Sequence, residues 1–73
     1  MAQEIVEVPI VGKVISIDVS EGSTVEEGDV LCILESMKME NPILAPVAGT
    51  ITKIGVSEGK VVEAGDLVAI IEY

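Results

Sequence analysis

Asp29-Val30-Leu31-Cys32-Ile33-Leu34-Glu35-Ser36-Met37-Lys38-Met39-Glu40-Asn41-Pro42-Ile43-Leu44-Ala45 is the stretch from which the architecture can be read. Gly28-Asp29 is a turn signal, and the apolar run that follows it has the length of a strand. Glu40 to Ala45 is a second extended segment, and Pro42 within it points to a sheet edge, where a missing N–H does least harm. The reversal between the two falls on Met37-Lys38, so the stretch predicts a β-hairpin with an ammonium at its tip.

Most lysines at hairpin tips are solvated charges that keep a turn soluble. The two methionines beside Lys38 are harder to explain that way. Turns favour Gly, Asn, Asp, Pro and Ser for backbone reasons. Exposed Met on both sides of one Lys instead describes a surface read by another protein, because Met adapts its shape to a partner. A lysine displayed like this can also be acylated, which removes its charge.

Beyond the hairpin, the chain repeats itself. Residues 9–35 align without a gap with residues 46–72, at a constant offset of 37. Pro9, Gly12, Ile17 and Val19 match Pro46, Gly49, Ile54 and Val56. Ser20-Glu21-Gly22, Val25-Glu26 and Gly28-Asp29 match Ser57-Glu58-Gly59, Val62-Glu63 and Gly65-Asp66, and Ile33 and Glu35 match Ile70 and Glu72. Each half reads as short strands between turns: Gly12 to Val19, Val25 and Val30 to Leu34, then Gly49 to Val56, Val61-Val62 and Leu67 to Glu72. The alternation slips between Val14 and Ile17, which predicts a bulge or a crossing between sheets. Gly22 is expected to supply a positive φ in its turn. No segment keeps apolar residues at helical spacing. The expectation is therefore an all-β chain, one domain spanning 1–73, with two small sheets packed face to face about a pseudo-twofold axis. Neither half could bury its apolar face alone. The repeat partner of Lys38 falls at the chain ends, so those ends should lie together, opposite the hairpin.

Composition bounds the function. The 73 residues are 49% hydrophobic with only one aromatic, so the core must be built from Val, Ile, Leu and Ala. A net charge of -9 disfavours nucleic acid and anionic membrane surfaces as partners. No apolar run is long enough to span a bilayer, and Gln3 and Glu4 are unlike a signal peptide. The single Cys32 has no internal disulfide partner and reads as a small buried hydrophobe, which fits a reducing, cytoplasmic setting. Histidine is absent. There is no phosphate-binding loop and no metal-ligand cluster, and Ser36 has no base to activate it, so no catalytic or metal site is expected. Glu21, Glu26, Glu27, Asp29, Glu58, Glu63 and Asp66 read as solvated turn acids rather than a cation site. Glu72 matches Glu35 in the other half, which gives Glu35 a structural reading as strong as a recognition one.

Glu35-Ser36-Met37-Lys38-Met39 resembles the attachment motif of biotinyl domains, the biotin carboxyl carrier family, whose usual form is Glu-Ala-Met-Lys-Met. Ser36 stands where Ala is commonest. Val8-Pro9-Ile10-Val11-Gly12-Lys13-Val14 resembles the family's Ala-Pro-Met-x-Gly-x-Val opening, with Val8 and Ile10 as departures, and Ala45-Pro46-Val47-Ala48-Gly49-Thr50-Ile51 resembles its recurrence. The resemblance implies a flattened β-barrel, or barrel-sandwich hybrid, of two four-stranded antiparallel sheets. It implies biotin joined covalently to Lys38, with Met37 and Met39 read by a biotin protein ligase and Glu35 and Ser36 flanking the motif. It also implies a non-catalytic carrier, monomeric in isolation, that serves a biotin carboxylase and a carboxyltransferase. The gapless repeat leaves no room for the extra thumb loop of some acetyl-CoA carboxylase carriers. Two other readings share the fold: a lipoyl carrier of a 2-oxo acid dehydrogenase, which usually has Asp-Lys-Ala at the tip, and an unmodified hammerhead module, which needs helical hairpins inserted there.

Overall fold

The computed structural model describes all 73 residues, and they form eight strands and no helix. The strands are β1 (Gln3–Glu7), β2 (Gly12–Ile17), β3 (Thr24–Val25), β4 (Val30–Ser36), β5 (Met39–Leu44), β6 (Gly49–Ile54), β7 (Val61–Val62) and β8 (Leu67–Glu72). They make two four-stranded sheets, ordered β1-β8-β6-β3 and β5-β4-β2-β7, with every pairing antiparallel. Shifting residue numbers by 37 turns one order into the other, strand for strand. Each half of the chain therefore gives two strands to each sheet, which is why neither half can close a core by itself.

The irregularities repeat as well. The ladder of β2 with β4 slips between Val14 and Ser16, where the alternation of the sequence slips, and β6 with β8 slips at the matching Ile51 and Lys53. A bulge of this kind bends the strand and strengthens its twist, which lets short strands wrap a flattened barrel. Pro42 lies in β5, an edge strand, as its missing N–H requires. Gly22 has a φ of 93°.

The core contains 15 buried residues, all apolar. Seven repeat-related pairs supply 14 of them: Val6 and Ile43, Val8 and Ala45, Val14 and Ile51, Val25 and Val62, Leu31 and Val68, Cys32 and Ala69, Leu34 and Ile71. The fifteenth is Val56, whose counterpart Val19 is partly buried against the cluster. Branched aliphatic side chains fit a pleated surface, so a core without aromatics still packs densely.

Three features depart from the sequence reading. Gln3 to Glu7, to which the sequence reading assigns no element, is a full strand and supplies the edge of the first sheet. The runs Gly12 to Val19 and Gly49 to Val56 stop as strands at Ile17 and Ile54. Three of the turn acids are more than solvated charges. Asp29 Oδ2 accepts the Glu26 N–H at 2.8 Å, Asp66 Oδ2 accepts the Glu63 N–H at 2.9 Å, and Glu21 Oε2 accepts the Ile54 N–H at 3.1 Å. In the first two the aspartate reaches back to the N–H three residues before it and so closes its turn from the far side, and the third ties a turn to the end of β6.

The chain ends pair with each other. Ala2 N–H donates to Tyr73 O at 2.8 Å and Tyr73 N–H to Ala2 O at 2.9 Å, continuing the β1–β8 ladder. Under the repeat this pair is the counterpart of Met39 and Ser36, which close the lysine hairpin. Paired ends and lysine tip are thus exchanged by the pseudo-twofold, in a body of 36 × 18 × 16 Å.

Candidate functional site

The site is built on β4, which lies inside its sheet between β2 and β5. Cys32 and Leu34 are buried on one face and fix its register, because a slip of one residue would turn both outward. That register delivers Ser36 opposite Met39 and leaves Met37 and Lys38 as a two-residue loop. Their φ values are 54° and 64°, so both sit in the left-handed region. Two successive positive φ values describe a type I′ turn, whose twist matches that of the strands it joins. Such turns favour Asn-Gly, and a side chain with a β-carbon costs about 1 kcal/mol or more at each position. Met37-Lys38 holds the conformation because the packed strands below it demand it.

The result is display. Lys38 is exposed, Met37 is 92% exposed and Met39 67%, so a flexible apolar side chain stands on each side of the lysine. The five motif residues Glu35 to Met39 come together simply by being contiguous across one turn. Below the tip, Glu35 lies across from Glu40 on one side and Lys13 on the other. Like charges directly opposite one another cost stability, and Lys13 lies in the same cross-strand row to moderate the cost. At the other end Glu72 lies between Gln3 and Thr50, so neither of its neighbours there is charged. What Glu35 and Glu72 share is backbone: a β-carbon on Gly12 would fall 2.5 Å from the Glu35 carbonyl oxygen, and one on Gly49 would collide with that of Glu72. The matched glycines answer to this close approach.

Asn41 is the residue the sequence reading left out. Its Nδ2 donates to the Met39 carbonyl oxygen at 3.1 Å. No periodicity marks such a contact, because it depends on a side chain folding back along its own strand. Cys32 has no part in the site: it is buried, and burial first, then the nearby Asp18 carboxylate, hold its thiol above the ordinary range. No helix is long and apolar enough to cross a membrane.

A family model described as biotin-requiring enzyme matches residues 4–71. The glutaconyl-CoA decarboxylase subunit gamma of Acidaminococcus fermentans is 54% identical over 39 residues, 53% of this chain and 27% of that subunit. The biotinylated protein TB7.3 homolog of Mycobacterium leprae is 54% identical over 45 residues, 62% of each chain. Among solved structures, the Kluyveromyces lactis urea carboxylase superposes with a TM-score of 0.90 at 36% identity, covering 99% of this chain and 6% of that enzyme. The matches thus span less than two thirds of the length of these curated relatives.

Proposed function

This chain belongs to the biotin-requiring enzyme family, and from that premise we propose that Lys38 is its point of biotin attachment and that the protein is a carboxyl carrier. The observation that carries the reading is the turn itself: Met37 and Lys38 are both left-handed, and the lysine is exposed between two exposed methionines. The residues fit the group. An amide to Nζ needs an amine that a ligase can reach from several sides, and nothing packed around Lys38 blocks one. When bound, biotin supplies a ureido group that holds a carboxyl group between two active sites.

The chain's own residues bind, display and limit. Met37 and Met39 offer the ligase a deformable apolar surface around the acceptor amine. The β4–β5 ladder fixes the base of the arm, while the long lysine side chain provides reach. Tethering raises the local concentration of the carried group at both sites far above what free diffusion would give. The partners in this reading are a biotin protein ligase, a biotin carboxylase and a carboxyltransferase. A reducing, cytoplasmic compartment suits the free thiol of Cys32.

The test is intact mass after incubation with a biotin protein ligase, biotin and ATP. One biotinyl group is expected, mapped to Lys38 and absent from Lys38→Arg, which keeps the charge. Biotin still accepted by Lys38→Arg would move the site to another lysine. A lipoyl group accepted from a lipoate ligase, with no biotin taken, would overturn the carrier class.

A further inference from the structure

Asn41 holds the backbone of the lysine hairpin by a bond that the strands do not require. It lies on β5 two residues beyond the closing pair, opposite the buried Leu34, and so on the core side of the sheet. From there its amide turns back to the Met39 carbonyl oxygen, 3.1 Å away. Met39 is the first residue after two left-handed ones, neither of which is Gly or Asn. A turn of unfavoured residues is held by its surroundings or not at all.

The pseudo-twofold supplies an internal control. The counterpart of Asn41 is Glu4, opposite Ile71, near the paired chain ends. There the Ala2 carbonyl oxygen accepts the Tyr73 N–H, and an ionised Glu4 has no donor to add. The extra donor belongs to the lysine end alone.

We propose that Asn41 is a positioning residue for modification of Lys38: its amide holds the Met39 carbonyl, and through it the left-handed turn that projects the lysine. This rests on Lys38 being the acceptor. A hydrogen bond of ordinary net worth shifts a two-state turn about fivefold. If a ligase binds only the projecting form, its apparent affinity falls with that form's population while the bound complex is unchanged. Loss of the bond should therefore raise KM and spare kcat.

The experiment uses the full chain with Asn41→Asp, which keeps the size but loses the donor, and Glu4→Gln as the matched change at the other end. Steady-state biotinylation by a biotin protein ligase gives KM and kcat. Separately, the NMR intraresidue HN–Hα NOE of Met37 and Lys38, strong at positive φ, reports the turn without any ligase. Asn41→Asp is expected to raise KM, by at most about fivefold because the projecting turn is the populated form, with kcat unchanged, and to weaken both NOEs, while Glu4→Gln changes neither. Wild-type KM in Asn41→Asp overturns the proposal, and so does a raised KM with both NOEs intact, which would mean direct contact with the ligase. A fall in melting temperature with KM and NOEs unchanged overturns it too, leaving Asn41 a purely structural residue. If the wild-type protein takes no biotin, the acceptor reading fails, while the NOEs still decide whether Asn41 holds the turn.

Discussion

Replacing Gly12 by alanine tests how tightly the lysine hairpin is seated. An added β-carbon lands 2.5 Å from the Glu35 carbonyl oxygen and 2.9 Å from Leu34 Cγ. A comfortable C···O contact is about 3.3–3.6 Å, so roughly 0.9 Å must be found between two interior strands. Neither neighbour is free to give: the first is backbone, and Leu34 is only 1% exposed. Forcing a methyl group into a packed site costs about 1–3 kcal/mol. Alanine returns about 0.4–1 kcal/mol by restricting the unfolded chain. The expected net loss is about 1.5 kcal/mol, which for a domain of this size lowers Tm by about 6–12 °C. Gly49→Ala makes the same collision with the Glu72 carbonyl, with Ile71 Cγ2 at 2.7 Å, and should cost about as much. The two differ in consequence, because Glu35 lies three residues from Lys38 and Glu72 lies beside the chain ends. Thermal unfolding followed by far-UV circular dichroism should show two similar losses, and ligase kinetics should show slowed biotinylation for Gly12→Ala only. Stability within 0.5 kcal/mol of wild type in both variants would refute the packing argument, and equal slowing by Gly49→Ala would refute the link to the tip.

Two further outcomes follow from side chains away from the hairpin. Glu21→Ala removes the acceptor of the Ile54 N–H and should cost about 1 kcal/mol, an exposed charge-assisted bond being worth less than a buried one. The urea midpoint should fall at constant m, while Glu58→Ala, its repeat partner, should leave the midpoint nearly in place. Cys32 titrates above its ordinary range when folded, through burial first and Asp18 second. The folded state therefore keeps the thiol proton longer than the unfolded state, and that stabilisation is full below about pH 8.5 and lost as pH rises through the folded value. Urea midpoints measured from pH 7 to 10 should fall more steeply in wild type than in Cys32→Ala, which installs the residue found at position 69; parallel curves would refute the assignment.

Much of this was legible in the chain because the repeat doubles every signal. Gly12 and Gly49, Gly28-Asp29 and Gly65-Asp66, and the slip after Val14 each announced a feature that recurs 37 residues later. Strand β1 was not legible, since residues 3–8 share no identity with their counterparts 40–45 and only Val6 and Val8 keep an apolar match. An edge strand with one face in solvent needs little more than that, so its sequence is free to drift. The lysine tip stood out by residue type, but the backbone geometry that displays it did not. Left-handed φ at Met37 and Lys38 is imposed by strand register, against local preference. In the sequence Glu21, Asp29 and Asp66 show only their charge, whereas their bonds to backbone N–H groups depend on turn shape.

The pairing of Ala2 with Tyr73 makes the polypeptide a ring with one open joint. The hairpin at Met37-Lys38 is the closed joint, and the repeat relates the two, so a two-residue link from Tyr73 to Ala2 has a ready template in the molecule itself. Cyclising the backbone there would leave every strand in place. By loop entropy alone it would stabilise the fold by about 4 kcal/mol, a large share of what a chain this small can accumulate. New ends could then be cut at any exposed turn, such as Ser57 to Lys60, without changing which residues face each other. The lysine tip is thereby independent of where the chain starts: it needs the ring, not its order of synthesis.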